Sequence, residues 1–124
     1  MPPKPSIGTL EVRRDAKLKR LARVGPVLEG SLARIRVTCG NPNCRCARGE
    51  KHVSHILKRQ LRGKTQSLYV PVDMVEDAHR WVNEYRRARQ ILRQISELNR
   101  AILRAYVSSK RARAANASRG VSGN

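Results

Sequence analysis

Apolar positions follow two rhythms along this chain, one of two residues and one of three to four. Between residues 32 and 38, Ala33, Ile35 and Val37 alternate with Arg34 and Arg36. Alternation of this kind puts the apolar side chains on one face of a strand and the arginines on the other. Residues 53–60 are rich in β-branched and aliphatic side chains, and residues 65–70 give a further strand that includes Tyr69. Between them, Leu61-Arg62-Gly63-Lys64 has the composition of a tight turn around Gly63. Pro71 has no N–H to give to a ladder and closes the run. Residues 31–70 are therefore predicted to form a three-stranded antiparallel meander with its hairpin at Gly63.

From residue 73 the second rhythm takes over. Val75, Ala78, Val82 and Tyr85 recur at helical spacing, and Ile91, Ile95, Leu98, Ile102 and Ala105 continue it after a frame shift near Ala88. Neither Gly nor Pro occurs between Val72 and Val107, so residues 73–107 are predicted to be one helix. Asp73 and Glu76 have the spacing of a capping box, and Asp77 adds negative charge at the positive end of the helix dipole. At about 1.5 Å per residue such a helix spans roughly 50 Å, more than a small sheet can cover. Ile91, Ile95, Leu98 and Ile102 therefore require another apolar surface. A coiled-coil partner, such as a second copy of the chain, would supply it, and so would the chain's own N-terminal segment.

In that segment, residues 10–24 carry a ragged apolar side at Ala16, Leu18, Leu21, Ala22 and Val24, suited to a short helix that Gly25-Pro26 ends. Residues 1–9 contain three prolines and a glycine and read as an extended arm. Residues 108–124 hold no large apolar side chain except Val121 and read as a disordered basic tail. The predicted fold class is α+β: a small three-stranded antiparallel sheet with a cysteine-rich loop, followed by one long C-terminal helix. Its parts are a basic arm over residues 1–29, the sheet and loop over 30–71, the helix over 72–107 and the tail over 108–124.

Charge turns this outline towards function. The 124 residues include 27 Lys and Arg against 9 Asp and Glu, a net charge of +18, with only 3% aromatic residues and no Phe. No apolar run approaches the roughly 20 residues of a membrane-spanning helix. Residues 1–9 lack the apolar stretch of a secretory signal, and three cysteines cannot all pair within one chain. A small cytoplasmic polycation is expected, without a membrane partner, and associated with the nucleoid if DNA is its ligand. Residues 32–71 carry nine basic side chains and one acid, Glu50, the densest excess along the chain. Such a field attracts polyanions, of which nucleic acid is the most abundant in a cytoplasm. A surface kept for solubility, or one that meets an acidic protein, is the plainer account of the same charge.

Cysteine spacing adds a second chemistry. Cys39, Cys44 and Cys46 form a C-x4-C-x-C cluster, and His52 and His55 follow. Zinc takes four thiolate or imidazole ligands in a tetrahedron, and Gly40 with Asn41-Pro42-Asn43 would turn Cys39 back towards the other two. This predicts a structural zinc knuckle of Cys39, Cys44, Cys46 and His52, with His55 as the reserve ligand. A thin core gains most from such a staple, since metal binding contributes folding energy directly. Three reduced cysteines beside two ordinary loop histidines are the plainer alternative. A redox pair at Cys44 and Cys46, with Arg45 and Arg48 lowering the thiol pKa, lacks the strand–helix context such chemistry uses.

At this loop the chain resembles a family of short prokaryotic proteins catalogued as a domain of unknown function and often encoded near transposases and other mobile-element genes. The resemblance rests on Gly30-Ser31-Leu32, Cys39-Gly40, Cys44-Arg45-Cys46-Ala47-Arg48-Gly49-Glu50, His52, Gly63-Lys64-Thr65 and Tyr69-Val70-Pro71, and covers roughly residues 30–107. Members follow the histidine with Gly-Pro and aromatics. Here Val53-Ser54-His55-Ile56-Leu57 stands in that place, so any aromatic platform on the second strand is lost. The resemblance implies the architecture and the mobile-element context and no established activity.

An enzyme is not expected. Asp73, Glu76 and Asp77 are the only carboxylate cluster, and helix-start charge already accounts for them. No phosphate-cradling glycine loop is present. For binding, Arg34 and Arg36 share a strand face that Lys58 and Gln60 extend across the sheet. Arg45, Arg48 and Lys51 ring the cysteine loop, while Arg59, Arg62 and Lys64 belong to the second strand and its hairpin. A sheet face or ribbon fits the wide major groove of duplex DNA, where Arg reads guanine and Gln60 or Gln66 reads adenine. Single strands call for aromatic platforms, and this sheet offers only Tyr69. The expected function is thus nucleic-acid binding, with duplex DNA favoured over RNA, as a mobile-element or regulatory accessory factor. The reading of another class is a protein-interaction module that docks, or dimerises, through residues 72–107.

Overall fold

The computed structural model describes residues 4–37, 43 and 52–122. Helix α1 spans Ile7–Ala22, strands β1, β2 and β3 span Ser31–Val37, His52–Leu61 and Lys64–Val70, and helix α2 spans Val75–Ser122 after a 3-10 turn at Val72–Met74. The α+β class, the antiparallel sheet and the long C-terminal helix agree with the sequence pattern. The cysteine-loop prediction at Cys39, Cys44 and Cys46 lies outside the described residues, as do Arg45, Arg48 and Lys51.

Both helices are longer than the pattern implies. α1 starts at Ile7, inside the expected arm, because Ser6 caps it: the Thr9 N–H donates to Ser6 Oγ at 3.2 Å. A capped first turn satisfies orphan donors, and this outweighs the unfavourable Gly8 within it. α2 continues past Val107 to Ser122, through the stretch expected to be a disordered tail. No Gly or Pro occurs between Val72 and Arg119, and Ala112, Ala114, Ala115 and Ala117 are interspersed with cations. Alanine and arginine are strong helix formers, and positive charge suits the C-terminal end of the dipole. Absence of apolar side chains is therefore not absence of helix. Asp73 sits within the 3-10 turn, which has no side-chain cap, so the expected capping box is not its start.

Strand order is β1-β2-β3. β1 pairs with β2 from Ser31↔Lys58 to Val37↔His52, and β2 pairs with β3 from His55↔Val70 to Leu61↔Lys64. The β2–β3 connection is two residues long, and both have positive φ, 52° at Arg62 and 78° at Gly63. That is the geometry of a type I′ turn, whose twist matches the strands it joins.

The chain divides into two compact units, residues 24–87 and residues 1–23 with 88–124. In the sheet unit, Leu57 and Val70 pack with Ala78 and Val82 of α2, and Leu28, Leu32, Met74 and Val75 border them. The segment before β1 is tied to α2 by backbone: the Gly25 N–H donates to Glu84 Oε2 at 2.8 Å and the Leu28 N–H to the Trp81 carbonyl at 3.0 Å. In the helical unit, Leu10 of α1 and Ile91 and Ile95 of α2 are buried, and Arg14 Nη1 donates to Asn99 Oδ1 at 3.2 Å. Leu98 and Ile102 are half-buried there. The buried and half-buried positions of α1 (Ile7, Leu10, Arg14, Lys17 and Leu21) recur at alternating spacings of three and four. Such a repeat forms a narrow seam suited to a facing helix.

Candidate nucleic-acid interface

Residues paired directly across strands share a face of the sheet. By that register one face carries Leu32, Arg34 and Arg36 of β1, His55, Leu57 and Arg59 of β2, and Lys64, Gln66, Leu68 and Val70 of β3. The other carries Ala33, Ile35, Ile56, Lys58, Gln60 and Tyr69. One expectation is corrected here. Lys58 and Gln60 do not extend the Arg34–Arg36 face, since they point to the opposite one. The packed face is the one the arginines share, through Leu32, Leu57 and Val70, and not that of Ala33, Ile35 and Val37. The single alternating run in β1 cannot reveal this, because the choice is made by Leu57 and Val70 on its neighbours.

The core crosses the sheet diagonally, from Leu32 on β1 through Leu57 to Val70 on β3. This leaves two corners of the same face uncovered by that cluster. Arg34 and Arg36 stand at one, beside the half-buried His55. At the other, Arg59 Nε donates to Gln66 Oε1 at 3.0 Å. An open groove of about 580 Å³ runs there, with Leu28, Glu29 and Leu68 among its walls. Arg62 is at the hairpin apex and Lys64 begins β3, both exposed. Among the described residues, this face therefore gathers its cations into two clusters at opposite corners rather than into one continuous surface.

His52 and His55, alternatives in the sequence, are separated by the fold. His52 is exposed and closes the β1–β2 ladder opposite Val37, whereas His55 lies three pairs further in, opposite Arg34 and Val70, on the packed face. Among the described residues, no three His, Cys, Asp or Glu side chains are grouped to hold a metal. At the helix start, Asp77 forms an ion pair with Arg80.

The larger charge lies elsewhere. Sorted by unit, residues 1–23 and 88–124 hold fifteen basic and three acidic side chains, a net of +12, against +6 for residues 24–87. Counting along the sequence hides this, because Asp73, Glu76, Asp77 and Glu84 dilute the first half of α2. Beyond Ala88 only Glu97 is acidic. Sequence reasoning named none of the arginines there. Their signal is legible as spacing: Arg89, Arg93, Arg100, Arg104 and Arg111 follow one another at 4, 7, 4 and 7 residues. All five are exposed.

No helix among the described residues is long and apolar enough to cross a membrane. No curated protein and no solved structure matches this chain. A family model does match, over α1, the sheet and the beginning of α2, and so reaches further towards the N-terminus than the resemblance read from the cysteine loop. With residues 8–80 matched, more than half its length, the chain belongs to the family described as Domain of unknown function (DUF6788).

Proposed function

We propose that this protein binds nucleic acid, with duplex DNA as the preferred ligand. The observation that carries this reading is the net +12 on a helical unit of 60 residues, where exposed cations surround a small apolar seam. A field of that density raises the local concentration of a polyanion and speeds its association. The Arg34 and Arg36 corner adds a second point of contact. Few exposed aromatics accompany these cations, Tyr69 on the sheet and Tyr106 on α2, which disfavours stacking on single strands. The carboxylates at the start of α2 are engaged as helix-start charge and, at Asp77, in an ion pair, which supports a role by binding alone. An accessory factor to an enzyme that works on DNA, such as those of mobile elements, fits a binder of this kind.

The test is recovery of the protein from its native cells through a wash of roughly 0.5 M salt, which removes ligands held by phosphate contacts alone. The nucleic acid that remains is then sequenced. Enriched DNA segments are the expected result. Enriched RNA would transfer the reading to RNA. A protein partner without nucleic acid would replace it with the assembly module.

Zinc at Cys39, Cys44, Cys46 and His52 is part of the same proposal. Three thiols within eight residues suit its preference for soft ligands. His52, beside Val37 in the β1–β2 ladder, is the fourth ligand in this reading and His55 the reserve. Cys44→Ser is expected to lower bound zinc, measured by metal analysis of the purified protein, together with thermal stability. Metal content equal to that of the wild type would end the zinc assignment.

A further inference from the structure

We infer that the distal half of α2 presents a built phosphate-binding rail to duplex DNA, and that this rail, rather than the sheet, makes the main contact. The inference rests on the nucleic-acid reading above and names its surface. At roughly 100° per residue, Arg89, Arg93, Arg100, Arg104 and Arg111 fall within a sector of about 60° on the helix. Ile91, Ile95, Leu98 and Ile102, the buried and half-buried positions, centre on the opposite side, about 180° away. Between Arg89 and Arg104 the helix is thus held by one face while the other carries arginines at regular positions. A helix fixed in this way offers them without further ordering of its backbone.

The rail is about 33 Å long, close to the roughly 34 Å of one duplex turn. Arg89 with Arg93 and Arg100 with Arg104 form two pairs whose centres lie about 16 Å apart, and Arg111 follows about 10 Å beyond the second. Arginine side chains reaching from these pairs span a major groove about 12 Å wide and meet phosphates on both of its walls. Arg is suited to this, since its planar guanidinium engages phosphate oxygens in pairs. Apart from these arginines the sector holds Val107 and no aromatic side chain, which matches backbone contact rather than stacking. Glu97 flanks the rail, about 20° outside this sector, in an exposed ion pair with Arg100 at 3.6 Å. An acid there opposes phosphate, and its removal is a local probe of the contact.

Binding of the full-length protein to a 30-base-pair DNA duplex, of about three turns, can be followed by fluorescence anisotropy over a range of salt. Two triple variants remove the same charge, R93Q/R100Q/R104Q on the rail and R34Q/R36Q/R59Q on the sheet. Circular dichroism checks that each keeps its helix content; glutamine is a good helix former. Three lost phosphate contacts reduce the slope of log K against log salt by about 2.7, and this is expected for the rail variant while the sheet variant loses less than about 1. E97Q is expected to tighten binding severalfold, and E11Q, the same charge change on the exposed side of α1, to change it much less.

Equal losses from both triples would show a diffuse field and overturn the rail. A loss confined to the sheet variant would overturn it too, leaving nucleic-acid binding intact. Tighter binding of an RNA hairpin than of the duplex would overturn the choice of DNA. No binding of wild type to any nucleic acid at about 150 mM salt would remove the functional reading itself.

Discussion

Gly30→Ala is expected to destabilise the sheet unit by about 3 kcal/mol, enough to lower its thermal midpoint by roughly 10–20 °C. Gly30 stands immediately before β1 with φ at 141°, a backbone region that side-chain-bearing residues rarely enter. A Cβ there would also lie 2.8 Å from the carbonyl oxygen of Lys58 and 2.9 Å from Leu57 Cδ1. The oxygen belongs to β2, the central strand, and cannot retreat without disturbing the ladder on both sides. Leu57 is the most buried residue of the sheet, and a close-packed interior leaves it little room to retreat. Strain and collision therefore add.

Gly63→Ala separates the two terms. Gly63 also has positive φ, at 78°, yet a Cβ added to it would meet nothing within 4 Å. It should cost only the conformational penalty, about 1 kcal/mol. Chemical denaturation of the three proteins measures the difference. Equal midpoints for wild type and Gly30→Ala would show that the entry to β1 does not have this backbone.

The second large effect concerns the distal helix. Ile91→Ala is expected to cost about 3 kcal/mol, within the range for truncating a buried isoleucine, because Ile91 is only 3% exposed within a single chain. Since Leu10 and Ile95 are buried in the same unit, the lost contacts are intramolecular. The midpoint of unfolding should then be the same at micromolar and at hundredfold higher protein concentration, for wild type and variant alike. Stability gained by association depends on protomer concentration, so a midpoint that rises with concentration would assign Ile91 and Ile95 to a second copy instead.

This bears directly on what the amino-acid pattern leaves open. Ile91, Ile95, Leu98 and Ile102 are legible as an apolar stripe too long for the sheet, and the pattern permits either a partner or the N-terminal helix. The structure buries Ile91 and Ile95 in a unit that includes α1, whose seam of Ile7, Leu10, Arg14, Lys17 and Leu21 is interrupted by two cations. Those cations make the apolar side of α1 ragged in the sequence. Arg14 lies half-buried on the seam with its guanidinium on Asn99, and a long basic side chain can cover apolar surface while its charged end finds a polar partner.

The sheet shows a different limit. Alternation in β1 correctly predicts a strand and correctly separates Arg34 and Arg36 from Ala33, Ile35 and Val37. It does not say which set faces the helix. Register settles that, by aligning Leu32 with Leu57 and by setting Val70 on the same side, and the arginines then share the packed face at the corner the core leaves bare.

Legible in the residues alone is whatever close neighbours decide among themselves: three strands, the first of them from alternation, a turn around Gly63, and a long helix from apolar spacing without Gly or Pro. Each depends on backbone preference and on residues a turn or a strand away. Which face packs, which segments make a unit, and where the charge collects are settled in three dimensions. Those properties belong to residues far apart in the chain, such as Leu10 and Ile91 or Leu32 and Val70, and burial arises where such distant surfaces meet.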